Sequence, residues 1–303
     1  MNYLPRGNEE KELIKFVAEY QILSIKDEKY FFNSKRYYRD RVANLIEKKY
    51  LKRLKRCLIL DEQGIEYAKI NNLEYNATNR NVKYQDRLLR ISNLGAFYYN
   101  CNLVDFIPSF SIKDKTVRTT TGRKFVGILD INGIEYLTYQ IAKEHDYKYI
   151  STIIGDIQRE SDFKNLIILV DNISKIKTDE FTFGNNQVLI VRDTIVNREK
   201  LKYMHSVRWD DIIRKYYRNR VYYSKYNFCD YTDYRSRYVS FFYFFDTEKV
   251  NRIKYFLREN DNKNADIICN ADVEKQLQRE LPDVNYYIVD LEEYIDKERN
   301  IYD

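Results

Sequence analysis

At 303 residues, 44% hydrophobic and 16% aromatic, the chain exceeds the usual single-domain size and has the material for two or three cores. Three prolines and eight glycines exclude a flexible linker, no apolar run nears the roughly 20 residues of a membrane helix, and four scattered cysteines exclude a disulfide framework. The net charge is +6, yet Asn33–Arg56 alone holds ten basic residues against Asp40 and Glu47, 10 − 2 = +8, which leaves 6 − 8 = −2 for everything else.

The opening MNYLPRGNEEKELI lacks the basic-then-apolar layout of a signal peptide. With Cys57, Cys101, Cys229 and Cys269 read as reduced thiols, the expectation is a soluble, cytoplasmic bacterial protein without membrane contact. Thirty tyrosines beside abundant Lys, Asn and Ile suggest an AT-rich genome, that of a low-GC bacterium or its mobile elements.

NEEKELIKFVAEYQIL (8–23) repeats Leu13, Ile14, Val17 and Tyr20 at helical spacing, with acids in its first turn. SIKDEKYFF (24–32) predicts a short helix, and Asn33 or Ser34 a cap for the next. In that helix Tyr38, Val42 and Leu45 face inward while Lys35, Arg36, Arg39 and Arg41 crowd the first turns. YLKRLKRCLILDEQG (50–64) alternates leucines with cations and predicts a β-ribbon turning at DEQG, followed by a short helix, IEYAKI (65–70).

Helix, short helix, basic helix and basic ribbon are the parts of a winged helix-turn-helix. Such a helix fits the major groove of duplex DNA, and the ribbon rests on phosphates. The candidate contacts are Lys35, Arg36, Tyr37, Arg39 and Arg41 on the helix, with Lys52, Arg53, Lys55 and Arg56 on the wing. A charge run is otherwise an ordinary solvated face; here it coincides with the recognition element.

From residue 79 the pattern changes. NRNVKYQDRLLRISNLGAFYYNCN (79–102) predicts a helix, FIPSFSI (106–112), KFVGILDI (124–131) and IEYLTYQI (134–141) three strands, YKYISTIIGDIQRE (147–160) a helix, and NLIILV (165–170) a buried strand. This αβββαβ order matches the core of restriction-endonuclease-like proteins, in which carboxylates on the second and third strands hold Mg²⁺.

On these residues the chain resembles the replication-relaxation proteins of plasmids, phages and conjugative elements, over residues 8 to 195. CLILDEQGIEYAKI (57–70) is similar to the strand-turn-helix that closes the family's winged helix, and KFVGILDINGIEYLTYQI to its nuclease-like strand pair. The resemblance implies duplex-DNA binding in replication initiation or mobilisation, and partners among replication or transfer proteins. The sequence departs where metal ligands are wanted: FVGIL has only Asp130 at its end, and the next strand offers Thr138 and Gln140, with Glu135 near the turn. An inactive nuclease-like domain follows.

NQVLIVRDT (186–194) and VNREKLKYM (196–204) continue strand and helix. VSFFYFFD (239–246), TEKVNRIKYFLREN (247–260), ADIICN (265–270), ADVEKQLQREL (271–281) and NYYIVDL (285–291) predict βαβαβ with parallel strands. No Gly-x-Gly-x-x-Gly or Gly-x-x-x-x-Gly-Lys motif exists, TTTGRKFVG (119–127) has the wrong spacing, and no cofactor or metal is expected. Residues 208–238 interleave cations with eight tyrosines, a pattern of packing or of single-strand stacking. His205-x-x-Arg208 has the spacing of tyrosine recombinases, which puts Tyr231, Tyr234 and Tyr238 forward as nucleophiles.

The expected fold is therefore α/β, α+β overall: a winged helix-turn-helix over 1–75, a nuclease-like α/β domain over 76–205 and a C-terminal α/β region over 206–303. The expected function is non-catalytic binding of double-stranded DNA, with a homodimer open. A winged-helix transcriptional regulator is the second reading, and a metal-dependent nuclease or tyrosine-dependent nickase the third.

Overall fold

A computed structural model describes residues 5, 7–34, 36–75, 82–112, 124–159, 163–173, 176–184, 187–218, 220–233, 237–259 and 264–296. Among them lie nine α-helices and three sheets, a mixed α+β fold. The chain divides into two compact units, Met1–Lys113 with Val126–Ile128, and Asp114–Phe125 with Leu129–Asp303.

Unit one opens with α1 (Asn8–Tyr20), whose Leu13, Ile14, Phe16 and Val17 are fully buried, as the helical spacing requires. Next come β1 (Leu23–Ser24), a 3₁₀ turn at Glu28–Phe31, α2 (Tyr38–Glu47) and a hairpin of β2 (Leu51–Leu54) with β3 (Cys57–Leu60). The sheet order is β1–β3–β2, antiparallel throughout. Helices α3 (Glu62–Ile70) and α4 (Val82–Tyr98) and strand β4 (Val104–Pro108) complete the unit.

Three of the boundaries that differ from the sequence pattern have a tertiary reason. The Asn33 N–H donates to Glu9 Oε1 at 2.8 Å, so this segment is held to α1 and the helix begins at Tyr38 rather than at an Asn33 or Ser34 cap. The ribbon turns at Lys55–Arg56, with Lys55 at φ 55, although no glycine marks the site. DEQG instead starts α3, where the Gly64 backbone approaches Tyr50 so closely that an added Cβ would lie 2.1 Å from its carbonyl oxygen. Leu88 of α4 packs with Ile22, Cys57 and Ile59, and this small core anchors the hairpin from behind.

In unit two, β5 (Gly127–Ile131), whose first residues belong to unit one, and β6 (Ile134–Ile141) precede α5 (Tyr147–Arg159), β7 (Asn165–Val170) and β8 (Gln187–Arg192). Strands β6, β7 and β8 are parallel and almost wholly buried, as continuous apolar runs such as NLIILV demand. Helices α6 (Ile195–Leu201) and α7 (Trp209–Tyr217) lead to a second sheet with β9 (Val221–Tyr223), β10 (Tyr231–Asp233) and β11 (Arg237–Phe242).

The run VSFFYFFD is two strands. It leaves the second sheet after Phe242, and β12 (Phe245–Asp246) pairs with Ile190 and Leu189 of β8 in the first. Helix α8 (Thr247–Arg258), β13 (Asn264–Cys269), α9 (Ala271–Glu280) and β14 (Asn285–Ile288) follow, in the sheet order β14–β13–β11–β10–β9, with β11, β13 and β14 parallel. Asp246 and Asn270 cap α8 and α9, each side chain accepting two backbone N–H groups. No helix among the described residues is long and apolar enough to cross a membrane.

Candidate nucleic-acid interface

The basic segment resolves into two exposed elements of unit one. Arg36 and Tyr37 precede α2, and Arg39 lies in its first turn. Arg36 sits over the Tyr37 ring at 5.6 Å and Arg39 over Tyr38 at 5.8 Å. Tyr37 is 56% exposed, unusual for a large aromatic side chain and suited to contact with a base or sugar. On the hairpin Lys52, Arg53, Lys55 and Arg56 are all exposed, Lys52 and Arg53 in β2 beside buried Leu51, and Lys55 and Arg56 at the turn.

Glu28, in the 3₁₀ turn, ties the two elements together. Its carboxylate feels both Arg53 of β2 and Arg39 of α2, so the start of α2 and the hairpin lie within reach of one charge. Burial nevertheless dominates and raises the Glu28 pKa, with the two guanidinium groups opposing that rise. Among the exposed cations, Lys52 is tempered by Asp61 at 3.1 Å and Lys49 by Glu62 at 3.6 Å. No acidic partner of these kinds was visible in the sequence, since Glu28 and Asp61 reach their cations only through the fold.

Arg41 has a different role from the one its position in the cationic run suggests. It donates to Glu10 Oε1 at 3.0 Å, pairs with Glu9 and lies over the Phe32 ring at 4.9 Å. The two carboxylates support its charge and raise its pKa against burial. This guanidinium is spent on joining α1 to α2. Lys35 lies outside the described residues.

The positions in unit two that nuclease chemistry would use carry other tasks. Asp130 accepts the Gly133 N–H at 2.7 Å and shapes the Asn132–Gly133 turn, while Glu135 is exposed. Thr138 is fully buried and donates to its own strand at the Tyr136 carbonyl, and Gln140 donates to Asp193 at 2.5 Å. Among the described residues no three His, Cys, Asp or Glu side chains cluster for a metal. TTTGRKFVG lies in part outside the described residues, as does Tyr234 wholly.

The recombinase-like set fares similarly. Tyr231 is 5% exposed and donates to Asp210; burial, then that bond, pushes its phenol above the usual range, the reverse of nucleophile activation. Tyr238 is buried within an aromatic cluster with Tyr226, Phe228 and Phe256. His205 Nε2 meets the Tyr136 hydroxyl at 3.1 Å, and that hydroxyl donates to Gln187 at 2.8 Å. His205 is thus held in a hydrogen-bonded contact with the Tyr136 hydroxyl.

No family model, curated protein or solved structure matches this chain. The assignment of its surfaces therefore rests on their own chemistry.

Proposed function

We propose that unit one contains a winged helix-turn-helix that binds duplex DNA, with α2 entering the major groove and the β2–β3 hairpin acting as the wing. The observation that carries this reading is the exposure of Arg36, Tyr37 and Arg39 at the start of α2 and of Lys52, Arg53, Lys55 and Arg56 on the hairpin of the same unit, with Arg39 and Arg53 both acting on Glu28. Topology supports it: a helix, a short strand, a turn, a second helix and a hairpin, with sheet order β1–β3–β2. An exposed helix start rich in Arg and Tyr suits base edges and sugars, and a basic hairpin suits phosphates.

The protein acts, in this reading, as a DNA-binding factor rather than through catalysis. Replication initiation or mobilisation of a plasmid or other mobile element is the context that the resemblance to replication-relaxation proteins supplies; the αβββαβ order from α4 to β7 agrees with the nuclease-like part of that resemblance. Fold-level likeness alone does not choose between an origin, a transfer site and a promoter.

The test is a selection of bound fragments from randomised and plasmid DNA at fixed salt, with and without Mg²⁺. Enrichment of one intact sequence is expected, and its location separates replication, transfer and transcription. Recovery without enrichment, or of cleaved fragments, would sink the reading.

A further inference from the structure

Unit two contains a cleft of about 990 Å³ where α7, the segment between β9 and β10 and the end of β11 meet. One wall is a continuous row of rings across the second sheet: Tyr223 lies 4.7 Å from Tyr231, Tyr231 5.4 Å from Phe241, and Phe241 4.3 Å from Trp209. Tyr231 and Phe241, in the middle of the row, are buried, whereas Tyr223 is 72% exposed and Trp209 half-buried. Trp209 lies flat on Phe241, with planes 6° apart, and no second ring or cation stands over the indole among the described residues. Its plane is fixed on one side while it lines the cleft.

Much of the charge around this wall is spent within the lining. Asp210 accepts from the hydroxyls of Tyr223 and Tyr231, Asp211 pairs with Arg208 and Arg214 at 3.3 and 3.7 Å, and Lys249 pairs with Asp230. By contrast, neither the Trp209 indole N–H nor the side-chain amide of exposed Asn227, on the same lining, has a hydrogen-bond partner among the described residues. An indole adds one donor, and an amide two donors and an acceptor.

A fixed aromatic plane with an open amide and N–H suits a flat ring that carries donors and acceptors on its rim, which is the chemistry of a nucleobase. The two fused rings of the indole match a purine in extent, and an asparagine amide is the bidentate complement of adenine's N6 and N7. No glycine follows Gly184 in the sequence, so no glycine-rich loop is at hand to cradle phosphates, and the ring is the part of a nucleotide that this cleft can grip. We propose that the cleft binds a purine base, adenine above others, stacked against Trp209 and hydrogen-bonded by Asn227. Stacking and neutral hydrogen bonds hold an uncharged ring whatever the charge of the lining. The base arrives on a free nucleoside or in an unpaired strand, and the site is independent of the duplex-binding reading of unit one.

Trp209 is the single tryptophan of the chain, so its fluorescence reports on the cleft directly. The full chain is titrated at constant ionic strength with adenosine, cytidine and ribose, all uncharged, and with a short oligo-dA. Saturable quenching is expected with adenosine, at least fivefold tighter than with cytidine, and none with ribose. Asn227→Ala, at an exposed position, should weaken adenosine about tenfold, a loss of roughly 1.4 kcal/mol. Trp209→Phe, followed by calorimetry because the reporter is gone, should weaken it severalfold; if that variant does not fold, Asn227→Ala decides. Oligo-dA tighter than adenosine, with the same loss in Asn227→Ala, assigns the base to a single strand; adenosine as tight or tighter assigns it to a free nucleoside, and either upholds the site. No saturable change with adenosine or oligo-dA through the millimolar range, cytidine as tight as adenosine, or an Asn227→Ala protein that binds as the parent does would overturn it.

Discussion

Arg41 of α2 reaches back to Glu10 of α1, Nε to Oε1 at 3.0 Å, and so converts a residue of the most basic stretch into an internal strut. The Glu10 side chain is 4% exposed and that of Arg41 29%. Removing the arginine takes a close counter-charge from a buried carboxylate.

Arg41→Ala should therefore destabilise unit one by about 2–3 kcal/mol, somewhat less than breaking a fully buried pair. Affinity for DNA per folded molecule should stay close to the parent's. Denaturant unfolding measured beside binding at low temperature separates the two effects. A folded variant of unchanged stability that no longer binds DNA would return Arg41 to the interface.

Two carboxylates of unit one predict opposite pH responses. Glu9 accepts the Asn33 N–H, which lowers its pKa; burial works against this and Arg41 adds to it. A depressed folded-state pKa contributes stability above the ordinary carboxylate range, and that contribution disappears as the pH falls through the depressed value. Glu28 is raised by burial, so it costs nothing in acid and costs stability once the pH rises through the ordinary carboxylate value. Glu28→Gln should accordingly raise Tm at pH 7 and change little at strongly acidic pH, whereas Glu9→Gln should lower Tm at pH 7 and also change little in acid. Melting curves across that range check both signs. Glu28→Gln should also strengthen binding to random duplex, since it removes a negative charge that acts on both Arg39 and Arg53.

Much of this architecture was legible where local pattern and burial agree. IEYLTYQI and NLIILV occupy β6 and β7 with their predicted limits, and ADVEKQLQRE occupies α9 behind the Asn270 cap. Elements that exist only through partners were hidden. Leu23–Ser24 is a strand because Leu58 and Cys57 lie beside it, and VSFFYFFD divides because its last residues find β8 rather than the strand's own sheet. The candidate site divides in the same way. The basic hairpin could be read from its run of cations between leucines, but the diversion of Arg41 and the intrusion of Glu28 depend on neighbours distant in sequence.

The exposed cations should separate by role. On the proposed reading, Arg36→Ala and Arg39→Ala, at the start of α2, should weaken a selected duplex more than random duplex. Arg53→Ala and Lys55→Ala, on the β2–β3 hairpin, should weaken both alike and lower the salt slope by about 0.9 for each phosphate that is no longer neutralised. Lys52→Ala should do less than Arg53→Ala, because Asp61 already holds the Lys52 ammonium at 3.1 Å. Affinities measured over a salt series provide all three comparisons, and equal, negligible losses throughout would leave the cluster a solvated surface.

A tyrosine nucleophile needs a phenol that ionises readily and an open approach, and Tyr231 has neither. Its ring is buried, its hydroxyl donates to Asp210, and both circumstances push its pKa up. Tyr231→Phe should consequently leave DNA binding unaltered and form no less covalent product than the parent, whose expected yield with nicked suicide substrates is nil. It should cost about 1 kcal/mol of stability, because Asp210 loses one donor yet keeps the Tyr223 hydroxyl at 3.0 Å. Denaturing gels of the protein with labelled DNA read the first outcome and thermal melting the second. A covalent adduct mapped to Tyr231 would require its phenol to leave Asp210 in the bound state, and would restore the nickase reading.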